Sequence, residues 1–548
     1  MHEKVFLKPN VLFEPLFNQW YAWPFLIAPE TAAMFIANLH LKIMQSFINA
    51  PQVHISALKN PAMLGGPFIN YDASKVGAIK ALLEKTTSEQ RHMLQFAEAV
   101  KQLDEMLTNE ATGYSLTSLY EKTPELLKGY VELVYDANNH PSIRFIEGLL
   151  YKSPFYSSAS QSVALSLIDN DNRQFILSTP LLEDEGHLHL RVPFDDERLD
   201  ELFNMTQVPR PYDYIRDLFN ITAGQEELFS SLFTTTNGRS AVNYDGEGVR
   251  IRYFGHACIL IESREVNILC DPVISYEFGS DIKRYTYNDL PERIDYVVIT
   301  HAHQDHCVFE TLLQLRRKIK NIIVPRSSGG ELIDPSMKLV LRTIGFKNVV
   351  EIGEMETIDV AGGTITGIPF MGEHADLNIK TKIAYLVALG GKKIMCAADS
   401  NNIEPKLYEH VRDAIGEVDV LFLGMECDGA PLTWLYGPLL TKPLARKMDQ
   451  SRRFDGSDAT KGLKIIELLN AKRAYVYAMG QEPWLTFLTS IQYTKQSRPI
   501  VESDKLIEEC RLRGIEAKRL FGCEAIMLDS IATGETTGLH DKVAALVA

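Results

Sequence analysis

Three histidines and an aspartate fall within the six residues from His301 to His306 of the stretch YVVITHAHQDHCVFE. Imidazole nitrogen and carboxylate oxygen are donors that first-row transition metals take. The stretch opens on the continuous apolar run IDYVVIT, which reads as a buried strand. It closes on CVFETLLQLRRKI, which carries the three-to-four spacing of an amphipathic helix. The four side chains therefore sit where a strand gives way to a helix, and there they can converge on one point outside a sheet. His301, His303, Asp305 and His306 are more donors than one loop can easily wrap around a single ion, so two ions sharing the loop is the natural alternative. Ordinary surface histidines are the competing account. Four ligand-type residues in six positions at a strand end argue against it.

The elements that must position this cluster follow from the rest of the chain. With 548 residues the sequence exceeds the usual span of one core. Its 45% hydrophobic and 23% charged residues are those of an ordinary globular protein. A formal net charge of -15 argues against nucleic acid or an anionic membrane as partner. No run of 18 apolar residues and no signal peptide is evident. Seven cysteines without pairing spacings predict reduced thiols and a cytoplasmic location.

PETAAMFIANLHLKIMQSFI and SKVGAIKALLEKTTSEQRHMLQFAEAVKQLDEML have helical periodicity. YVELVYDANNHPSIRFIEGLLY reads as two strands around a turn, and HLHLRVPF as a half-buried strand. His187 and His189 share one face of that strand with no third ligand in sight, and they read as a polar face. The polar passage TTTNGRSAVNYDGEGVR predicts a boundary near residue 240. Beyond it, RIRYFGHACILIES and EVNILCDPVI predict an antiparallel pair. NIIVP, TITGIPF, KIAYLVALGGKKIMCAAD, VDVLFLGM and RAYVYAMG continue as strands between helices, so sheets with helices packed outside are expected.

THAHQDH resembles the His-x-His-x-Asp-His motif of the metallo-β-lactamase superfamily, and FGHACILIE followed by ILCDP is similar to the strands that precede the motif there. The resemblance covers residues 248–530. It implies an α/β fold class: a C-terminal metallo-β-lactamase-like αββα sandwich (241–548) behind a mixed α+β N-terminal domain (1–240), with a dinuclear site at one edge of the two sheets. Most members are zinc hydrolases that complete the site with a histidine, a bridging aspartate and a last histidine after a late strand. In this sequence GIPFMGEHADL offers Glu373 beside His374, and spacing does not choose between them. The bridging position is matched by Asp399, and the late strand places Met479, Gly480 and Gln481 where the last histidine is expected. His410, in a helix-like stretch, and His540, in the C-terminal tail, read as solvated; His256 reads as packed or beside the ligands.

Three carboxylates against two divalent ions leave one net positive charge, as they do against two ferric ions with a bridging oxide. Such hard donors favour iron over zinc. In this respect the sequence looks like the diiron aminoacyl β-hydroxylases of nonribosomal peptide biosynthesis, the chloramphenicol type. That resemblance implies His301, His303 and Glu373 on one iron, Asp305 and His306 on the other, and Asp399 between them, with His374 beside the ligands. It implies two iron ions, oxo-bridged and diferric at rest, with O2 as co-substrate. It also implies an aminoacyl thioester on a carrier protein of a nonribosomal peptide synthetase, an external electron donor, and an N-terminal half that serves a homodimer or covers the site. The alternative is a dinuclear zinc hydrolase of esters, amides or thioesters, in which His374 replaces Glu373. Glu426 or Asp428 in LFLGMECDGAPLTWLYGPLL could meet a substrate amine, and Trp434 or Tyr436 could line its pocket. Ordinary core packing explains that loop equally well.

Overall fold

Two seven-stranded sheets face each other in the computed structural model, which describes residues 3–236 and 243–529. Across the first sheet the strands run Val349–Ile352, Ile319–Pro325, Ile294–Val298, Asn267–Cys270, Cys258–Glu262, Val249–Gly255 and Glu524–Leu528. Across the second they run Thr357–Val360, Gly363–Ile368, Ala384–Leu389, Lys392–Cys396, Val420–Gly424, Arg473–Tyr477 and Glu516–Arg519. In each sheet one half pairs antiparallel and the other parallel. The change falls between Asn267–Cys270 and Ile294–Val298 in the first, and at Lys392–Cys396 in the second. The stretch RIRYFGHACILIES is itself a hairpin, turning at His256 and Ala257, and EVNILC pairs onto its second strand.

Hydrophobicity dictates the layers. Ile251, Ile259, Ile268 and Val298 from the first sheet meet Ile365, Tyr385, Ile394 and Phe422 from the second in a dry inner core. Central parallel strands such as IDYVV are apolar almost throughout because both of their faces are covered. Helices Lys406–Ile415, Ala459–Leu468 and Arg498–Leu512 cover the outer face of the second sheet. Helices Phe309–Leu315 and Met337–Thr343 cover the first, which completes an αββα sandwich.

The N-terminal half is mixed α and β, as its patterns predict. A four-stranded antiparallel sheet has the order Trp20–Tyr21, Val11–Phe17, Gln161–Leu167, Leu188–Leu190. Helices Val76–Glu89 and Arg91–Glu110 break at Gln90, and the hairpin Val131–Tyr135/Pro141–Phe145 stands where its turn signal put it. The helix from Pro29 to Asn49 contains one π-helical turn, Ile36–His40. The expected boundary near residue 240 falls on residues 237–242, outside the described residues. A single hydrophobic cluster runs from Val5 through the helices on the first sheet to Leu488, so the two halves share one apolar layer. Among the described residues no helix is long and apolar enough to cross a membrane.

A buried charge network pins that layer. Arg173 bridges Glu310 at 2.8 Å and Glu14 at 3.0 Å. The hydroxyls of Tyr21 and Tyr276 donate to Glu310 at 3.0 and 2.9 Å. Glu310 opens the helix that follows the histidine cluster, so these contacts tie the N-terminal half to the element behind the site. Breaking a buried ion pair by removing one partner typically costs about 3–5 kcal/mol. Arg173→Met is therefore expected to lower unfolding stability by about that amount in urea titration, and unchanged stability would contradict this role.

Candidate metal centre

All six residues singled out as metal ligands converge at the C-terminal edge of the sandwich. His301, His303 and His306 follow the strand Ile294–Val298, and Asp399 follows Lys392–Cys396 on the facing sheet. Lys392–Cys396 is the strand at which its sheet switches from antiparallel to parallel pairing, and Ile294–Val298 is the first parallel neighbour of the corresponding strand, Asn267–Cys270. Three overlapping groups of donors result: His301, His303, Glu373 and His374; His301, His306 and Asp399; and His256, Asp305 and His306.

Glu373 Oε1 lies 2.7 Å from His303 Nδ1, and Glu373 Oε2 lies 2.7 Å from His374 Nδ1 and 3.9 Å from His301 Nε2. Asp399 Oδ2 lies 2.9 Å from His306 Nε2 and 3.7 Å from His301 Nε2, placing its carboxylate between two of the groups. Glu373 and His374 thus both stay in the cluster, His374 stacking on the His303 ring at 4.6 Å. Glu373 sits in a tight loop with φ +61, held by Lys382 Nζ donating to the Gly372 carbonyl and Arg452 Nε donating to the Ala375 carbonyl. A Cβ on Gly372 would stand 2.3 Å from Asn401 Cβ, so only glycine fits there. Gly424 is equally constrained, since its Cβ would meet Asp399 Oδ1 at 2.8 Å.

The electrostatics are those of a cation site. Burial alone would raise the Glu373 pKa, but His303 and His374 outweigh it and hold the carboxyl at about 2. Asp305 is likewise lowered against its burial, chiefly by His306 and His256. Burial pushes His301 well down, while Asp399, Asp271 and Asp305 overcome burial and draw His306 well up. The buried atoms His301 Nε2, His306 Nε2, His256 Nε2 and Glu373 Oε2 have no hydrogen-bond partner among the described residues. Orphaned buried donors are costly. Imidazole and carboxylate atoms left so, and pointing at shared space, fit a pair of bound metal ions.

One supporting residue, Asp271, escaped the sequence reading, and two that it named, Tyr436 and His256, take definite places here. Asp271, directly after Asn267–Cys270, accepts from Thr300 N at 2.7 Å and Thr300 Oγ1 at 2.6 Å, and faces His306 Nδ1 at 2.9 Å. The signal for it was an acid ending an apolar strand next to the motif strand. Tyr436 contacts His303 Nε2 through its hydroxyl at 3.0 Å, so it orients a ligand-type histidine as well as bordering the crevice. His256 presents Nε2 3.3 Å from Asp305 Oδ2, while its Nδ1 accepts from Gly480 N at 3.2 Å. Gly480 is where the last histidine was expected, so a histidine from the opposite side of the crevice turns toward the same space.

Glu426 lies close enough to Asp305, Asp399 and Glu373 for their charges, after burial, to raise its pKa well above normal. Asp428 is exposed, 3.8 Å from Arg453. His187 pairs with Asp184 at 2.8 Å, and His410 lies in the helix Lys406–Ile415. Neither belongs to a metal-type group among the described residues. His540 lies outside the described residues.

Comparison with known proteins gives this geometry its family. Residues 6–237 match the diiron non-heme beta-hydroxylase N-terminal domain, and residues 266–431 match the beta-lactamase superfamily domain. Over 521 residues, 94% of this chain and 98% of the relative, the sequence is 37% identical to the 4-amino-L-phenylalanyl-(CmlP-peptidyl-carrier-protein) 3-hydroxylase of Streptomyces venezuelae. The chain belongs to the diiron β-hydroxylases. The crystal structure of CmlA, a diiron β-hydroxylase from Streptomyces venezuelae, superposes with a TM-score of 0.90 at 36% identity, covering 96% of this chain and 100% of that one. A point mutant of CmlA superposes with a TM-score of 0.88 at 35% identity, over the same shares of the two chains. For a diiron β-hydroxylase the donor set is apt, being rich in hard carboxylate oxygen. The zinc-hydrolase alternative is not favoured.

Three substitutions test the site. Asp271→Asn removes the carboxylate behind His306 and is expected to weaken iron binding roughly 10–100-fold in chelator competition. Glu373→Ala should strip iron more severely than His374→Ala when metal per chain is measured; the reverse order would make His374 the ligand.

Proposed function

We propose that this β-hydroxylase acts on an aminoacyl group held as a thioester on a peptidyl carrier protein and replaces a β-hydrogen by hydroxyl. The observation that carries the reading is the full-length likeness to a relative whose name specifies such a tethered substrate. In this reading His301, His303 and Glu373 would hold one iron, Asp305 and His306 the other, and Asp399 would be shared, with His256 close to Asp305.

A bound iron pair would supply oxygen activation, a reaction in which O2, two electrons from an external donor and two protons convert the C–H bond to C–OH and release one water. The chain's residues orient, shield and neutralise. Asp271 fixes His306 with Nε2 toward the crevice, and Tyr436 fixes His303 with Nδ1 toward Glu373. Phe370 and Phe454 pack on His301 and His303 at 5.8 Å each and keep water off the ligands. Once bound metal meets the charge of the three carboxylates beside it, Glu426 can ionise and take the substrate ammonium.

The N-terminal half acts as a cover, since Phe25 packs on the Tyr436 ring. Its part in a homodimer rests on the family resemblance alone. A cytoplasmic location is supported by seven cysteines without a disulfide.

Single-turnover mixing of the reduced enzyme with charged carrier and isotopically labelled dioxygen tests the reading by intact mass. The carrier should gain one labelled oxygen atom. Release of the aminoacyl group, or oxygen from water, would reject it. Glu426→Gln should raise KM for the charged carrier by roughly 10-fold or more while leaving iron content unchanged. An unchanged KM would remove Glu426 from substrate binding.

A further inference from the structure

The hairpin turn of the first sheet is stitched to the loop that follows Arg473–Tyr477 in the second. His256 stands in that turn with φ +50, and its carbonyl accepts from Ala478 N at 2.9 Å. Its Nδ1 accepts from Gly480 N at 3.2 Å. Gly480 itself has φ +62, and a Cβ there would stand 3.1 Å from Ile491 Cδ1, so a side chain is disfavoured. The loop therefore comes to the crevice with a backbone N–H, and the imidazole that receives it is 1% exposed.

That N–H decides what His256 can do. A ring nitrogen that accepts a hydrogen bond carries no proton, and a neutral imidazole places its one proton on the other nitrogen. The proton of His256 is therefore on Nε2, which keeps no lone pair for a cation.

Two neighbouring rings are set the opposite way. His306 Nδ1 faces the Asp271 carboxylate at 2.9 Å, and a carboxylate only accepts, so the proton is on Nδ1 and the Nε2 lone pair is free. The Thr300 hydroxyl donates to Asp271 at 2.6 Å and so accepts from His301 Nδ1 at 3.0 Å, which frees the Nε2 lone pair of His301 as well. Two rings thus offer lone pairs to the crevice, and His256 offers a proton. The carboxylate it faces is Asp305, whose Oδ2 lies 3.3 Å from Nε2.

We propose that His256 is a positioning residue and not an iron ligand: its Nε2–H is given to Asp305 Oδ2 and turns that carboxylate so that the other oxygen serves the metal. The proposal rests on the assignment of Asp305 to an iron above. It also means that His256 does not stand in for the histidine that the superfamily carries after its late strand, because the amide of that same loop fixes the ring as a donor.

His256→Asn and His256→Gln separate the two nitrogens. An Asn side-chain oxygen can still accept from Gly480 N but has no donor at the place of Nε2, whereas a Gln amide brings an N–H there and gives up Gly480. Asn also suits a left-handed backbone, so strain cannot account for a loss on its side. With the full-length protein loaded with iron, both variants should saturate at two irons per chain and keep the near-ultraviolet bands. In chelator competition His256→Asn should bind iron roughly 10-fold more weakly, and His256→Gln should stay close to the unaltered protein. A variant that saturates at one iron per chain makes His256 a ligand and overturns the proposal. Equal behaviour of the two variants, or weaker binding by Gln than by Asn, overturns it too, the latter by placing the worth of His256 in its bond to Gly480. Saturation of the unaltered protein below two irons per chain would instead sink the ligand assignment on which the proposal rests.

Discussion

Taking a carboxylate out of water costs several kcal/mol unless its charge is met, and this chain brings three of them within reach of one another at the rim of its sandwich. Glu373 keeps only 7% of its side-chain surface exposed, Asp399 13% and Asp305 15%. Imidazoles surround them, yet four buried ligand-type atoms have no hydrogen-bond partner among the described residues. Bound cations resolve both costs at once, by supplying positive charge and filling orphaned lone pairs. Much of the surrounding structure can be understood as holding those donors in place against their own repulsion.

The sheets provide the position and the backbone provides the aim. Side chains gather beyond the carboxyl ends of Ile294–Val298 and Lys392–Cys396, two strands on facing sheets. His256, Asp271, Glu373 and Ala398 all adopt left-handed φ values between +36 and +61 at this rim. Such conformations cost of order 1–3 kcal/mol each for residues other than glycine and persist where surrounding contacts enforce them. The strain is concentrated where four separate loops bring donors and their supports to one space.

Local pattern made much of this legible. The run IDYVVIT followed by HAHQDH marked a strand end rich in ligands, and the pairing of GIPFMGEHADL with IMCAAD placed Glu373 and Asp399 through family resemblance. What the sequence hid was long-range. Asp271 supports His306 across 35 positions from a strand that looks like ordinary core, and the partner of His256, read only as packed or beside the ligands, is Asp305, 49 positions away. RIRYFGHACILIES read as one strand because its turn uses Gly255 and a left-handed His256 without any familiar turn pair. The shared apolar layer between the halves was equally invisible, since Tyr21 and Glu310 meet across 289 positions of chain.

Metal content and the optical spectrum of protein purified without added metal bear most directly on the dinuclear iron site. The account predicts close to two irons per chain with near-ultraviolet bands of an oxo-bridged diferric pair. Stoichiometric zinc, with activity restored by zinc and not by ferrous iron, would contradict it.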